Sequence, residues 1–179
     1  TVVKHACIVF RQQRSGRIVT FSSESGLFGN SGQGNYAAAK SGIAGFTKVV
    51  ARDMGRYGVT ANSIAPRAST RMIATVPDTA KQMREQRGVP SGESTPQAST
   101  MDPEDIAPFV CYLAGESAAN VNGQTFLVYG GIITLLSQPR RVRTIFKQGS
   151  WDLDELSSLV PSQVTYGLRN PSLPQPPRQ

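Results

Sequence analysis

The sequence is poor in the residues on which much catalysis and most metal binding depend. Among 179 residues there is one histidine, His5, and there are two cysteines, Cys7 and Cys111. No Cys/His group has metal-site spacing, so no metal is expected. A Ser-His-Asp triad would have to use His5, which lies in a helix-like stretch with no evident partner. The two cysteines are far apart and read as buried thiols. No apolar run is long enough to span a bilayer, and no charged start leads into an apolar core. No membrane segment or signal peptide is therefore expected, and the chain reads as soluble and cytoplasmic. Charged residues make up only 17% of the chain, against 39% hydrophobic, a globular rather than a disordered composition.

The charge that is present leans to one sign, with a formal net value of +7. Arg140, Arg141, Arg143 and Lys147 cluster toward the C-terminus. A basic surface can meet nucleic acid or an anionic cofactor. No aromatic interleaving or nucleic-acid motif accompanies this one, so it reads as a solvated tail and no nucleic-acid partner is expected.

Along the chain, "VVKHACIVFRQQRSG" predicts a helix with Val3, Ala6, Val9 and Phe10 on one side and Gly16 beyond its end. "RIVTFSS" predicts a short buried strand, and "ESGLFGNSGQG" a glycine-rich loop. A long helix is expected from Asn35 to about Met54, with an apolar stripe of Ile43, Phe46, Val49 and Val50. "GVTANSIAP" predicts the next strand. Residues 67–101 are polar and aperiodic and read as a long connection of the kind that serves as a substrate lid. Asp102 is a candidate N-cap ahead of Pro103, and Ile106, Phe109, Val110 and Leu113 recur at helical spacing. "GQTFLVYGG" predicts a third strand. From residue 136 to 179 the composition predicts an extended, partly disordered tail. Strands alternating with helices imply a parallel sheet covered on both faces. Three strands preceded by half a helix lead to the expectation that residues 1–135 are the C-terminal portion of a larger α/β domain.

One pattern is a decoy. "GQGNYA" at 32–37 fits G-x-G-x-x-A, with Asp53 at a suitable distance. A dinucleotide fingerprint must come straight off a strand, and its acid must end the next strand. Here about ten loop residues intervene, and Asp53 falls inside the predicted helix.

Tyr36 and Lys40 are different. Four residues apart on a helix, they share one face. Such a pair is a surface contact by default, but this one opens a helix that follows a strand and a glycine loop. Ser22 and Ser23 stand at the C-terminal end of that strand, where open α/β sheets place their ligands. A phenol is a poor base near neutrality, and making it a useful one takes about 4 kcal/mol of differential stabilisation. A neighbouring ammonium supplies stabilisation of that sign. A serine hydroxyl could hold the same substrate oxygen. The set suits proton exchange with an alcohol or ketone oxygen, and hydride would have to come from a cofactor.

The run "GRIVTFSSESGLFGNSGQGNYAAAKSGIAGFTKVVARDMGRYGVTANSIAP" closely resembles the core of the short-chain dehydrogenases/reductases. The resemblance covers about residues 1–135. It implies a doubly wound, Rossmann-like parallel sheet, here partial and lacking its N-terminal strands. The family serine lies thirteen positions before its tyrosine, which selects Ser23, and the Y-x-x-x-K motif falls on Tyr36 and Lys40. By resemblance Ser23 orients the substrate oxygen and Tyr36 is the acid/base. Lys40 tunes Tyr36 and also binds the nicotinamide ribose. Pro66 and Arg67 stand where the family usually has Pro-Gly, and Thr70 matches a cofactor-binding threonine. The implied cofactor is NAD or NADP.

"APRASTRM" resembles the branch containing the 3-hydroxyacyl-CoA dehydrogenase part of peroxisomal multifunctional enzymes; 3-oxoacyl-carrier-protein reductases match the serine-to-lysine block equally. The implied substrate is a small molecule of the hydroxyacyl or oxoacyl thioester class, acyl-CoA among the candidates. The basic cluster at 140–147 is a candidate contact for a CoA phosphate. A homo-oligomer formed through the helices at 1–15 and 35–54 is also implied. The T-G-x-x-x-G-x-G turn, the N-N-A-G strand and the catalytic asparagine of the family are absent. Weak NAD(P) binding and little turnover by this chain alone are therefore expected. The alternative is a non-enzymatic interaction module built on the same helices.

Overall fold

The computed structural model describes residues 2–69 and 101–170. The chain divides into two compact units, residues 1–137 and 138–179. In the first unit, helix α1 (Val2–Gln13) leads into strand β1 (Gly16–Phe21). The short helix α2 (Glu24–Phe28) and the long helix α3 (Gly34–Gly55) connect β1 to β2 (Val59–Pro66). A 3-10 turn (Pro103–Ile106) runs into helix α4 (Ala107–Ala114), followed by β3 (Thr125–Tyr129) and β4 (Ile132–Leu135). The sheet order is β1-β2-β3-β4. The first two pairings are parallel, with Ile18 opposite Ala61 and Ser63 opposite Thr125. The α/β architecture expected from the sequence is thus present.

β4 was not foreseen. It returns antiparallel to β3, Phe126 facing Leu135. The return is made by Gly130 and Gly131, both at positive φ (47° and 79°). Two successive positive φ values are what a tight hairpin turn of matching twist requires, and glycine supplies them without strain.

β2 is buried from Val59 through Ala65, as a central strand covered on both faces must be. Ile18, Val59 and Ala61 pack with Val50, Ala51 and Met54 of α3. Ile64, Phe126 and Val128 pack instead with Ile106, Phe109 and Leu113. Ala65 packs with Leu127 and Tyr129 in a third cluster, so β2 contributes to three.

The predicted stripe of α3 is partly wrong. Phe46 and Val49 are about half exposed, and the buried face is Ala44, Thr47, Val50, Ala51 and Met54. Small residues at Ala44, Thr47 and Ala51 let the helix backbone approach the sheet closely. On α1, Val3, Cys7 and Phe10 face the core at i, i+4, i+7 spacing, and Val9 points to solvent. Cys111 was expected to be buried but is exposed, because Ile106, Phe109 and Leu113 already define the inner side of its helix.

The second unit holds helix α5 (Leu153–Leu159), which continues as a π-helical turn over Val160–Val164. The sequence reading had made this segment an extended tail. A capping box starts the helix: the Glu155 amide donates to Asp152 Oδ1 at 2.8 Å, and the Asp152 amide to Glu155 Oε2 at 3.2 Å. Half of the basic cluster is engaged within this unit. Arg143 donates to the Val164 and Tyr166 carbonyls and lies 3.7 Å from the Tyr166 ring centre. Lys147 is paired with Glu155. Among the described residues no helix is long and apolar enough to cross a membrane.

Candidate active site

The site is built from the C-terminal ends of β1 and β2 and the first turns of α2 and α3. β1 ends at Phe21, and Ser22 prolongs its pairing by donating its amide to the Ile64 carbonyl at 2.8 Å. The Ser22 side chain turns inward, is buried, and donates to the backbone carbonyl of Lys40 at 2.7 Å. Ser23, the next residue, is only partly buried and N-caps α2. Its hydroxyl oxygen accepts the Ser25 amide at 3.3 Å, which leaves the hydroxyl proton free to be donated. The two adjacent serines therefore have separate tasks.

α3 carries the other pair. Tyr36 lies in its first turn, 44% exposed, and its amide bonds to Asn35 Oδ1 at 2.8 Å. No described residue bonds its hydroxyl. Lys40 sits one turn on. Its Nζ donates to the Phe21 carbonyl at 3.0 Å and lies 5.8 Å from the centre of the Tyr36 ring. The ammonium is thus tethered to the end of β1 and faces the phenol. The expectation that Tyr36 and Lys40 share a face is met.

α2 reaches this point because of Gly26. A Cβ there would lie 2.7 Å from the Ser41 nitrogen and 2.8 Å from Lys40 Cβ, closer than real atoms approach. Gly26 thereby lets the Ser23 turn lie directly against α3 at Lys40. The sequence showed a glycine-rich loop but not which glycine makes the contact.

The remaining predicted residues fall out as follows. Pro66 is the last residue of β2 and pairs with Val128. Arg67 continues the edge, its amide donating to the Val128 carbonyl at 3.0 Å. Its guanidinium is engaged by the Glu24 carboxylate, Nε to Oε2 at 3.0 Å and Nη2 to Oε1 at 2.9 Å. Thr70 and nearly all of the predicted lid lie outside the described residues. At the two ends of that stretch the Ser69 amide bonds to the Met101 carbonyl at 2.6 Å. Asp53, the acid of the decoy fingerprint, lies inside α3. Glu24 was missed by sequence reasoning, since its partner is 43 positions away.

The Lys40 ammonium and the Tyr36 phenol lie near the C-terminal end of β1, with the Ser23 turn just beyond it, the usual place for ligands in an open α/β sheet. The mainly parallel sheet with its flanking helices is a Rossmann-like α/β arrangement, and Ser23, Tyr36 and Lys40 stand near the C-terminal ends of its strands.

Comparison with known proteins identifies the family. The family described as enoyl-(acyl carrier protein) reductase matches residues 1–133. The chain is 46% identical over 146 residues to the hydroxyacyl-CoA dehydrogenase ChsB1 of Mycobacterium tuberculosis, covering 81% of this chain and 43% of that protein. It is 40% identical over 121 residues to the 3-oxoacyl-[acyl-carrier-protein] reductase FabG of Vibrio cholerae, covering 68% and 47%. Among solved structures, a short chain dehydrogenase from Mycobacterium avium superposes with a TM-score of 0.67 at 37% identity, covering 88% of this chain and 50% of that one. The chain belongs to the short-chain dehydrogenase/reductase family. It spans about half the length of the curated relatives it matches.

Proposed function

We propose that this chain carries the proton-exchange machinery of an NAD(P)-dependent interconversion of a secondary alcohol and a ketone, on a 3-hydroxyacyl or 3-oxoacyl thioester. The observation that carries the reading is the Lys40 ammonium, tethered to the Phe21 carbonyl and facing the Tyr36 ring. A second support is that relatives covering most of this chain are named for hydroxyacyl-CoA and oxoacyl-carrier substrates.

In this reading the Ser23 hydroxyl donates to the substrate oxygen and fixes its position. Tyr36 gives its phenolic proton to that oxygen during reduction and takes it back during oxidation. Lys40 stabilises the phenolate that forms. The attraction between an ammonium and a nearby phenolate strengthens as the local dielectric falls. Tyr36 is 44% exposed, so the effect grows when bound substrate displaces water. The partly exposed hydroxyls and tethered ammonium fit the ribose and carbonyl oxygens of a nicotinamide–substrate pair. By resemblance Lys40 would hold the ribose, and Pro66, Arg67 and Thr70 are the positions matched to further cofactor contacts. The nicotinamide, when bound, supplies the hydride. The exposed apolar residues of α1 and α3 fit self-association through those helices.

The test is reduction of a 3-oxoacyl-CoA by NADPH and by NADH, followed at 340 nm, with the 179-residue chain and with Tyr36→Phe. Loss of about 100-fold or more in kcat is expected. Equal rates for the two proteins overturn the reading.

A further inference from the structure

Arg67 occupies a position where the family resemblance expects glycine. Its side chain crosses from the end of β2 to the first residue of α2 and grips both oxygens of Glu24 in an asymmetric fork: Nε donates to Oε2 at 3.0 Å, and Nη2 donates to Oε1 at 2.9 Å while lying 2.7 Å from Oε2. A planar guanidinium meeting a carboxylate in this fork is the strong, orientation-specific form of an ion pair. Both groups are partly shielded, with 36% and 20% of their side chains exposed. The guanidinium also lies 5.2 Å from the ring centre of Tyr129, which is 1% exposed and belongs to the core. The backbone of Arg67 is pinned to Val128. One end of the fork is therefore anchored on the rigid ends of β2 and β3.

The other end needs anchoring. α2 has five residues, far too few to be stable as a helix by itself. Its first turn is Ser23–Leu27. The Ser23 carbonyl accepts the Gly26 and Leu27 amides at 3.0 and 3.2 Å, and the Ser23 hydroxyl accepts the Ser25 amide. Glu24 is the only charged residue in that turn and adjoins Ser23 directly. Holding Glu24 in place steadies the backbone turn that carries the Ser23 hydroxyl.

We propose that Arg67 and Glu24 are positioning residues that clamp the Ser23 turn to the ends of β2 and β3, holding the substrate-orienting hydroxyl in place. The inference rests on the proposed role of Ser23. A lysine at 67 keeps the charge but cannot form the fork, and a glutamine at 24 keeps the shape but loses the charge.

The experiment uses the full chain with Glu24→Gln and with Arg67→Lys, each alone and combined with Ser23→Ala. Millisecond amide hydrogen exchange is read at Ser25, Gly26 and Leu27, and at Ile64 in β2 as an internal reference. Steady-state reduction of a 3-oxoacyl-CoA is read in parallel. Each single variant is expected to speed exchange in the Ser23 turn about tenfold with Ile64 unchanged. Each is also expected to lower kcat about tenfold with KM within about twofold, and to cost nothing further in the Ser23→Ala background. Wild-type exchange in the turn overturns the proposal. So does acceleration equal to that at Ile64, which would make the pair a general stabiliser, and so does a kcat loss that multiplies with Ser23→Ala. Little turnover is expected of this chain alone, so where rates are too low to compare, exchange in the turn decides whether the clamp exists, and it does so independently of the functional reading.

Discussion

Lys40 is the residue on which the site converges. Its ammonium is bonded to Phe21, its carbonyl takes the Ser22 hydroxyl, and its backbone is the surface against which Gly26 lies. Gly26→Ala should therefore act on both stability and chemistry. The added methyl meets backbone, which yields poorly, so a loss of about 1–3 kcal/mol is expected by denaturant unfolding. The neighbouring serines separate these effects. Ser22→Ala removes a buried hydrogen bond and leaves the Lys40 carbonyl without that donor, a destabilisation of about 1–2 kcal/mol by the same measurement. Ser23→Ala removes a cap from a five-residue helix and should cost about 0.5–1 kcal/mol, while reducing kcat by about 100-fold. Stability losses in the reverse order would show that the two roles are assigned to the wrong residues. Tyr36 and Lys40 were legible because helical spacing alone brings them together. Ser23 needed the family spacing to be preferred to Ser22. The partners of Glu24 and Ser22 were not legible, since each lies far along the chain and is brought close only by the fold.

At the level of elements, period and punctuation carried β1, β2, β3 and α4, where Phe109 and Leu113, with Ile106 of the preceding turn, stand as the spacing required. β4 was missed although its signal was present: a glycine pair between two apolar runs is a hairpin mark. α5 was masked by the composition around it, and only the Asp152–Glu155 capping pair betrayed it. That helix has a consequence for pH. The Lys147 side chain, hydrogen-bonded to Glu155, is the main cause holding that carboxyl below its ordinary range, with the Asp152 amide adding to it. A carboxyl depressed in the folded state contributes stability above its unfolded pKa and loses it as pH falls through the folded value. α5 should therefore be intact near neutrality and lose order as pH drops below the usual glutamate range near 4.5. Backbone NMR shifts of residues 153–159 between pH 6 and pH 2.5 would show it, and Glu155→Gln should flatten the profile. A pH-independent helix would rule out the pair as its support.

For the molecule as a whole, the arrangement of apolar residues on α3 is informative because it defeats the simple stripe. The face turned to the sheet is lined by Ala44, Thr47 and Ala51, and the larger Phe46 and Val49 are left 49% and 56% exposed. On α1, Ile8 and Val9 are likewise 50% and 52% exposed. Scattered single apolar residues on a surface need no explanation; under the self-association proposed above, the exposed pairs of α1 and α3 would be covered. A second copy of this chain can present the same residues in return, as a two-fold interface requires. Phe46→Glu with Val49→Glu places charges where the apolar contact would form, and neither residue lies in the buried core. The double variant should sediment as a monomer at concentrations where the unmodified chain is dimeric or larger, with its helical circular dichroism unchanged. Identical sedimentation of the two proteins, whether both monomeric or both associated, would show that the faces of α1 and α3 are not joined in this way.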